Sequence, residues 1–242
     1  MMTVYQEPHA TIDISHDQLS MMADLVKKAL ENALKALFEP NIIMARNVID
    51  ADKAINSYEI DIDNSTYSLL TLGSLPPQIL RSIISIQKIN AILERIGDHA
   101  VNIAESAISL SPLVRSPGET VGLLELPTMA DLCNLILSEA LASFFRQDVV
   151  KAREVLSRDE RIDQLNIAIT EEVKTRVLGR EMAFETALDI IRICKNLERI
   201  ADLSTNIAEE ATFAVSGMII KHHGAQNRDK VDVGLPKVGN RA

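Results

Sequence analysis

The chain has 242 residues, with 34 acidic and 25 basic side chains and a formal net charge of −9. It has only 9 Gly and 8 Pro, no Trp, 3 Tyr and 5 Phe, which excludes collagenous and disulfide-knotted chains and favours helices over strands. The acid excess argues against a general nucleic-acid binder, whose affinity is built from clustered Lys and Arg.

Residues 1–14 read as an N-terminal extension lacking the basic and apolar segments of a secretory signal. Asp17 is expected to cap a first helix running to about Glu39, which Pro40 breaks. Asn41 then caps a second long helix ahead of Ile42 and Ile43. Along it Val48, Ile55, Ile62 and Leu69 recur every seven residues, the seam of an antiparallel bundle. Gly73 and Pro76–Pro77 end this helix. A third is expected from about Gln78 to Ser109, with Ile79, Ile83, Ile86, Leu93, Ala100 and Ala107 on its buried stripe. Residues 112–127, with Pro112, Pro117, Gly118, Gly122 and Pro127, form a linker.

The segment after the linker repeats the segment before it. Residues 92–105, ILERIGDHAVNIAE, align on 196–209, NLERIADLSTNIAE, with nine of 14 positions identical at an offset of 104. From Met22 to Ile55 an offset of 107 gives 13 identities in 34, including Phe38/Phe145, Arg46/Arg153 and Asp52/Asp159. Asp148 stands where Asn41 caps the second helix, and Val155, Ile162 and Ile169 repeat the seam. The chain is therefore expected to be all-α: two tandem three-helix bundles from an internal duplication, at residues 15–111 and 128–216. The chain closes on a mildly basic tail, 217–242. It holds five Lys/Arg against two acids, so the preceding body carries 20 minus 32, or −12.

Cys133 and Cys194 have no partner spacing and sit in apolar helical stretches, as expected of inert buried thiols in a reducing cytoplasm. No apolar run is read as approaching the roughly 18 residues of a membrane span, so a cytoplasmic chain is expected.

The most faithfully repeated feature is polar. Glu94, Asp98, Asn102 and Glu105 occupy steps 0, 4, 8 and 11 of the third helix, and Glu198, Asp202, Asn206 and Glu209 do so in the copy. Such steps fall within an arc of about 80° and a length of roughly 16 Å. The second helices carry partner rows: Asp52, Asn56 and Glu59, and in the copy Asp159, Asp163 and Asn166. Stacked like charges cost a helix a few tenths of a kcal/mol per pair, and a bound cation is the usual compensation. The oxygen-only donor set suits hard ions (Mg²⁺, Mn²⁺, Ca²⁺ or iron) over a thiolate zinc site. Taken on one helix, the row reads more readily as a solvated face. Its persistence in both copies, while neighbours such as His99/Leu203 and Val101/Thr205 diverged, favours metal.

Other chemistry finds little footing. No Glu-x-x-His pair, phosphate-cradling loop, G-x-G-x-x-G or G-x-S-x-G is present. His9, His16, His222 and His223 lie towards the termini, and His99 is expected to be a surface histidine beside Asp98. No catalytic residue is assigned, and a metal-dependent hydrolase is the least supported reading.

The blocks LERIGDHAVNIAE and LERIADLSTNIAE, with DADKAINSYE (50–59) and SRDERIDQLN (157–166), resemble the signatures of the PhoU family over residues of about 15 to 215. The resemblance implies PhoU-like, spectrin-repeat-like bundles. It implies metal sites at Glu94/Asp98 with Asp52/Asn56, and at Glu198/Asp202 with Asp159/Asp163, taking Fe, Mg, Mn or Zn. Asn56 departs from the acid usual in the family, as Asn166 does from its frequent Glu. The family resemblance further implies a cytoplasmic, non-enzymatic negative regulator of phosphate uptake and of the phosphate-starvation response. Its implied partners are the ATPase subunit of the phosphate ABC transporter, a sensor histidine kinase and a second copy of the chain. It would reach the membrane through partners only. The alternatives are an adaptor for a different transporter, and acidic rows that serve as docking surface without metal.

Overall fold

The computed structural model describes residues 6–71, 73–111 and 125–218, and among these every regular element is a helix. The first repeat comprises α1 (Gln6–Phe38), α2 (Ile42–Leu70) and α3 (Pro77–Leu110). The second comprises α4 (Glu125–Phe145), α5 (Val149–Leu156), α6 (Asp159–Leu178) and α7 (Phe184–Ser216). Residues 125–127 of the expected linker are helical and open α4; the rest of the linker, the basic tail after Met218, the side chain of His9 and both His222 and His223 lie outside the described residues.

The heptad seams are buried as their spacing predicts. Val48, Ile55, Ile62 and Leu69 face inward on α2, and Val155, Ile162 and Ile169 do so on α5 and α6. The expected stripe of α3, from Ile79 to Ala107, is buried throughout. Both internal caps form with the same geometry. Asn41 Oδ1 accepts from the Met44 amide at 3.0 Å, and Asp148 Oδ1 accepts from the Lys151 amide at 2.9 Å.

Three expectations about helices are corrected. Asp17 caps nothing: α1 already runs from Gln6, so residues 6–14 of the expected extension are helical, and Ile12 packs on the core. The second helix of the second repeat is two helices. Its break falls at Ser157–Arg158, where the Ser157 hydroxyl donates to Glu154 O at 2.7 Å and the two amides turn back to carbonyls three residues earlier. The first repeat has Asp50–Ala51 there and stays continuous. The third correction concerns α4, which is long and apolar enough by length and composition to cross a membrane, with a mean hydropathy of 1.2 over its best window. Its Leu126, Met129, Cys133, Ile136, Leu137 and Ala140 are buried in the protein core, as befits a helix packed on α7.

The two repeats join through their third helices. α3 and α7 run antiparallel, tied by Lys88 Nζ to Glu210 Oε1 at 2.8 Å, Ser109 Oγ to Asp189 Oδ2 at 2.6 Å and His99 Nδ1 to Asn196 Oδ1 at 2.8 Å. The paired residue numbers decrease on one helix as they rise on the other, so the duplicated helices meet about a local pseudo-two-fold. A second bridge sets the His16 ring of α1 against Phe144 and Phe145 of α4, with centroids 5.9 and 5.2 Å apart. One continuous apolar core therefore spans both repeats. His99, expected at the surface, belongs to this seam. Both cysteines are free and buried, and burial pushes their thiols up, Cys194 to about 12.

Candidate metal centre

In the first repeat the two rows face each other across the α2–α3 contact. Close approach is possible there because Gly97 lacks a side chain: a Cβ would stand 3.1 Å from Ile55 Cδ1 and 3.6 Å from Asp52 Oδ1. Asp52, Asn56, Glu59 and Glu94 are half-buried, Asp98 is exposed, and Asn102 and Glu105 continue the α3 face. Burial raises the Glu59 carboxyl above its ordinary range, with Asp63 and Asp98 adding repulsion. Burial likewise raises Glu94, with Asp98, Glu59 and Asp52 pushing the same way and Arg95 opposing. The rows thus share one electrostatic field.

No three Asp, Glu, His or Cys side chains among the described residues are gathered closely enough to hold an ion as they stand. The rows run as facing lines rather than a closed cage. What they do contain is unsatisfied oxygen. Asn56 Nδ2 donates to Asp52 Oδ2 at 2.9 Å, which leaves Asp52 Oδ1 and Asn56 Oδ1 buried without a hydrogen-bond partner. Buried acceptors are rarely left so. Hard oxygen acceptors lacking a donor are the ligand type a hard cation takes, so the residues fit the expected group.

Two further residues belong to this row. Asn90 Nδ2 donates to Asp63 Oδ1 at 3.1 Å and to Glu59 O at 3.0 Å, and Asn90 Oδ1 is a third buried oxygen without a partner. Asp63 continues the α2 row one step beyond Glu59, and Asn90 precedes Glu94 by one turn. Both were legible as helical continuations. The duplication hid them, because the copy has Thr170 and Cys194 in their places.

In the second repeat Asn166 Nδ2 donates to Glu198 Oε2, joining α6 to α7. Glu198 also pairs with Lys195, and Arg199 lies 3.5 Å from Asp202 Oδ2. Burial raises the Asp202 carboxyl, with Glu198 and Asp163 adding to it and Arg199 and Lys195 opposing. Asp163 and Asn206 are exposed. Asp159 opens α6, and its side chain lies outside the described ones.

The duplicated helical bundle corresponds to a known family. The PhoU domain family matches residues 19–107 and 126–211, one match per repeat. The chain belongs to the PhoU family. It is 31% identical over 214 residues to the phosphate-specific transport system accessory protein PhoU homolog of Aquifex aeolicus, covering 87% of this chain and 94% of the relative. The crystal structure of PhoU from Pseudomonas aeruginosa superposes with a TM-score of 0.81 at 32% identity, over 87% of this chain and 99% of that one. The phosphate transport system regulatory protein PhoU from Streptococcus pneumoniae gives 0.78 at 26% identity, over 88% and 99%. The family boundaries fall on the α1–α3 and α4–α7 units, and the all-α tandem bundle is the fold of these relatives.

Proposed function

We propose that the chain is a cytoplasmic, metal-binding accessory regulator of inorganic phosphate uptake and a repressor of phosphate-starvation signalling. It acts by binding partners rather than by catalysis. The observation that carries the metal part is the pair of facing acid rows, with buried oxygens left unsatisfied in the first. Family membership and the names of its relatives support the phosphate part.

Asp52, Asn56, Glu59, Glu94, Asp98 and Asn102 would hold a hard cation at the first row, and Asp159, Asp163, Glu198, Asp202 and Asn206 at the second. The ion supplies positive charge that cancels repulsion between adjacent helices. The chain's own contribution is a rigid surface: α3 and α7 fix the two rows relative to each other, so a partner meets one shape. The proposed partners are the ATPase subunit of the phosphate transporter, the sensor histidine kinase and a second copy of the chain.

A second reading, in which the acid rows are docking surface without metal, is favoured at the second repeat by the Lys195 and Arg199 pairs. Pull-down of the ATPase subunit with and without EDTA separates the two readings. Binding lost to chelator supports the metal, and binding lost only to salt supports docking. In cells lacking the gene, the wild-type chain should restore repression of a phosphate-starvation reporter. Failure to do so contradicts the regulatory role.

A further inference from the structure

The two rows are unequal in ways the duplication conceals. Lys195 Nζ lies 2.5 Å from Glu198 Oε1, and Asn166 occupies the other oxygen of the same carboxylate. At the offset of 104, the first repeat has Ala91 where Lys195 stands. Arg95 keeps the place of Arg199, but forms no ion pair among the described residues, and neither do Asp52, Glu59, Asp63, Glu94 or Asp98. The second row carries close ion pairs of its own, whereas in the first Arg95 eases Glu94 only from beyond ion-pair distance.

The unsatisfied oxygens follow the same division. Asp52 Oδ1, Asn56 Oδ1 and Asn90 Oδ1 are buried without partners, whereas among the described residues no orphaned oxygen lies on the α6–α7 row. Asn90 is 1% exposed, so bulk water does not reach it. Both partners of its amide nitrogen are acceptors, so turning the amide over would set oxygen against oxygen. Its Oδ1 therefore stays buried without a donor. Thr170 and Cys194 leave the second repeat without this extension.

We propose that the first repeat carries the strong divalent-cation site, extended by Asp63 and Asn90, and that Lys195 is a tethered cation that weakens the second. This rests on the cation reading of the rows. A hard divalent ion takes six or more oxygens. The first row spreads five carboxylates and the amide oxygens of Asn56 and Asn90 over about 12 Å or more of helix, so an ion draws on the neighbouring oxygens among them, with side-chain movement, and on water for the rest. Entry at the second row has to displace the Lys195 ammonium, whose side chain is 52% exposed and free to swing into solvent. Occupancy there is weakened rather than abolished.

The test is a Mn²⁺ titration of the full-length, metal-free chain, with free Mn²⁺ read by electron paramagnetic resonance. The wild type should show two classes of site at least tenfold apart. Lys195→Ala should tighten the weak class about tenfold and leave the strong class alone. The reverse change, Ala91→Lys at an exposed position, should weaken the strong class about tenfold with helicity unchanged. Asn90→Ala should weaken the strong class severalfold. Two equal classes that ignore both lysine changes would overturn the asymmetry and leave the cation reading standing. No Mn²⁺ binding by either the wild type or Lys195→Ala would overturn the cation reading itself.

Discussion

His99 Nδ1 donates to Asn196 Oδ1 at 2.8 Å across the seam between repeats, and the Asn196 amide nitrogen donates in turn to Arg192 O at 2.8 Å. The positions equivalent by the offset of 104 are Leu203 and Ile92, so one side of the pseudo-two-fold is polar and the other apolar. His99→Leu should cost about 1–2 kcal/mol, because it strands an acceptor on a side chain that is 8% exposed. His99→Leu with Asn196→Ile, the pairing of the apolar side, should recover most of that loss. Denaturant midpoints over the double-mutant cycle check it, and additive losses would contradict it.

Lys88 and Glu210 form the seam's charged tie, with the Lys88 ammonium also 5.2 Å from the centroid of the Phe213 ring. The Glu210 side chain is 10% exposed and that of Lys88 is 42% exposed, so the two partners are not equivalent. Lys88→Met should cost about 1–3 kcal/mol by leaving a buried carboxylate unpaired. Adding Glu210→Ser, the residue type at Ser106 in the first copy, should restore part of it. Thermal melts of the three variants decide the matter.

The carboxyls of Glu59, Glu94 and Asp202 are held above their ordinary range mainly by burial, then by their acidic neighbours. An acid whose folded pKa is raised binds its proton more tightly in the folded state. Its contribution to stability is therefore greatest below the unfolded pKa and falls as pH rises through the folded one. In metal-free protein, Glu59→Gln with Glu94→Gln should raise the melting temperature at pH 7. That advantage should disappear as the pH falls into the carboxylate range. A gain that persists unchanged at low pH would show that charge is not its source.

Gly217 closes α7 with φ +72, and its amide donates to Phe213 O at 2.8 Å. A Cβ there meets only the Arg81 side chain, at 3.6 Å, so the cost of substitution is conformational rather than steric. Gly217→Ala should destabilise the chain by about 1 kcal/mol, measurable by chemical denaturation.

The duplication, the seams and both internal caps were legible because each arises from a repeated block, a local period or a single capping side chain. The helix break after Leu156 was not. The backbone tightens there at Ser157–Arg158, and the serine bond to its preceding turn is no signal, since Thr205 and Ser65 make the same bond inside continuous helices. The early start of α1 was hidden because Asp17 offers a plausible cap, whereas Ile12 and the turn around it gain more by packing on the core. At the site, repetition identified the residues shared by both rows and passed over those that make the rows differ. Asp63, Asn90 and Lys195 have no like residue in the other copy, and only hydrogen bonds and an ion pair tie them to the rows.

The most direct test of the acid rows as cation sites is elemental analysis of the chain purified without chelator. Wild-type protein should retain transition or alkaline-earth metal after desalting, and Asp98→Ala with Asp202→Ala should lower that content at unchanged helicity. Metal content that is the same in the double variant as in the wild type would contradict the assignment of these rows.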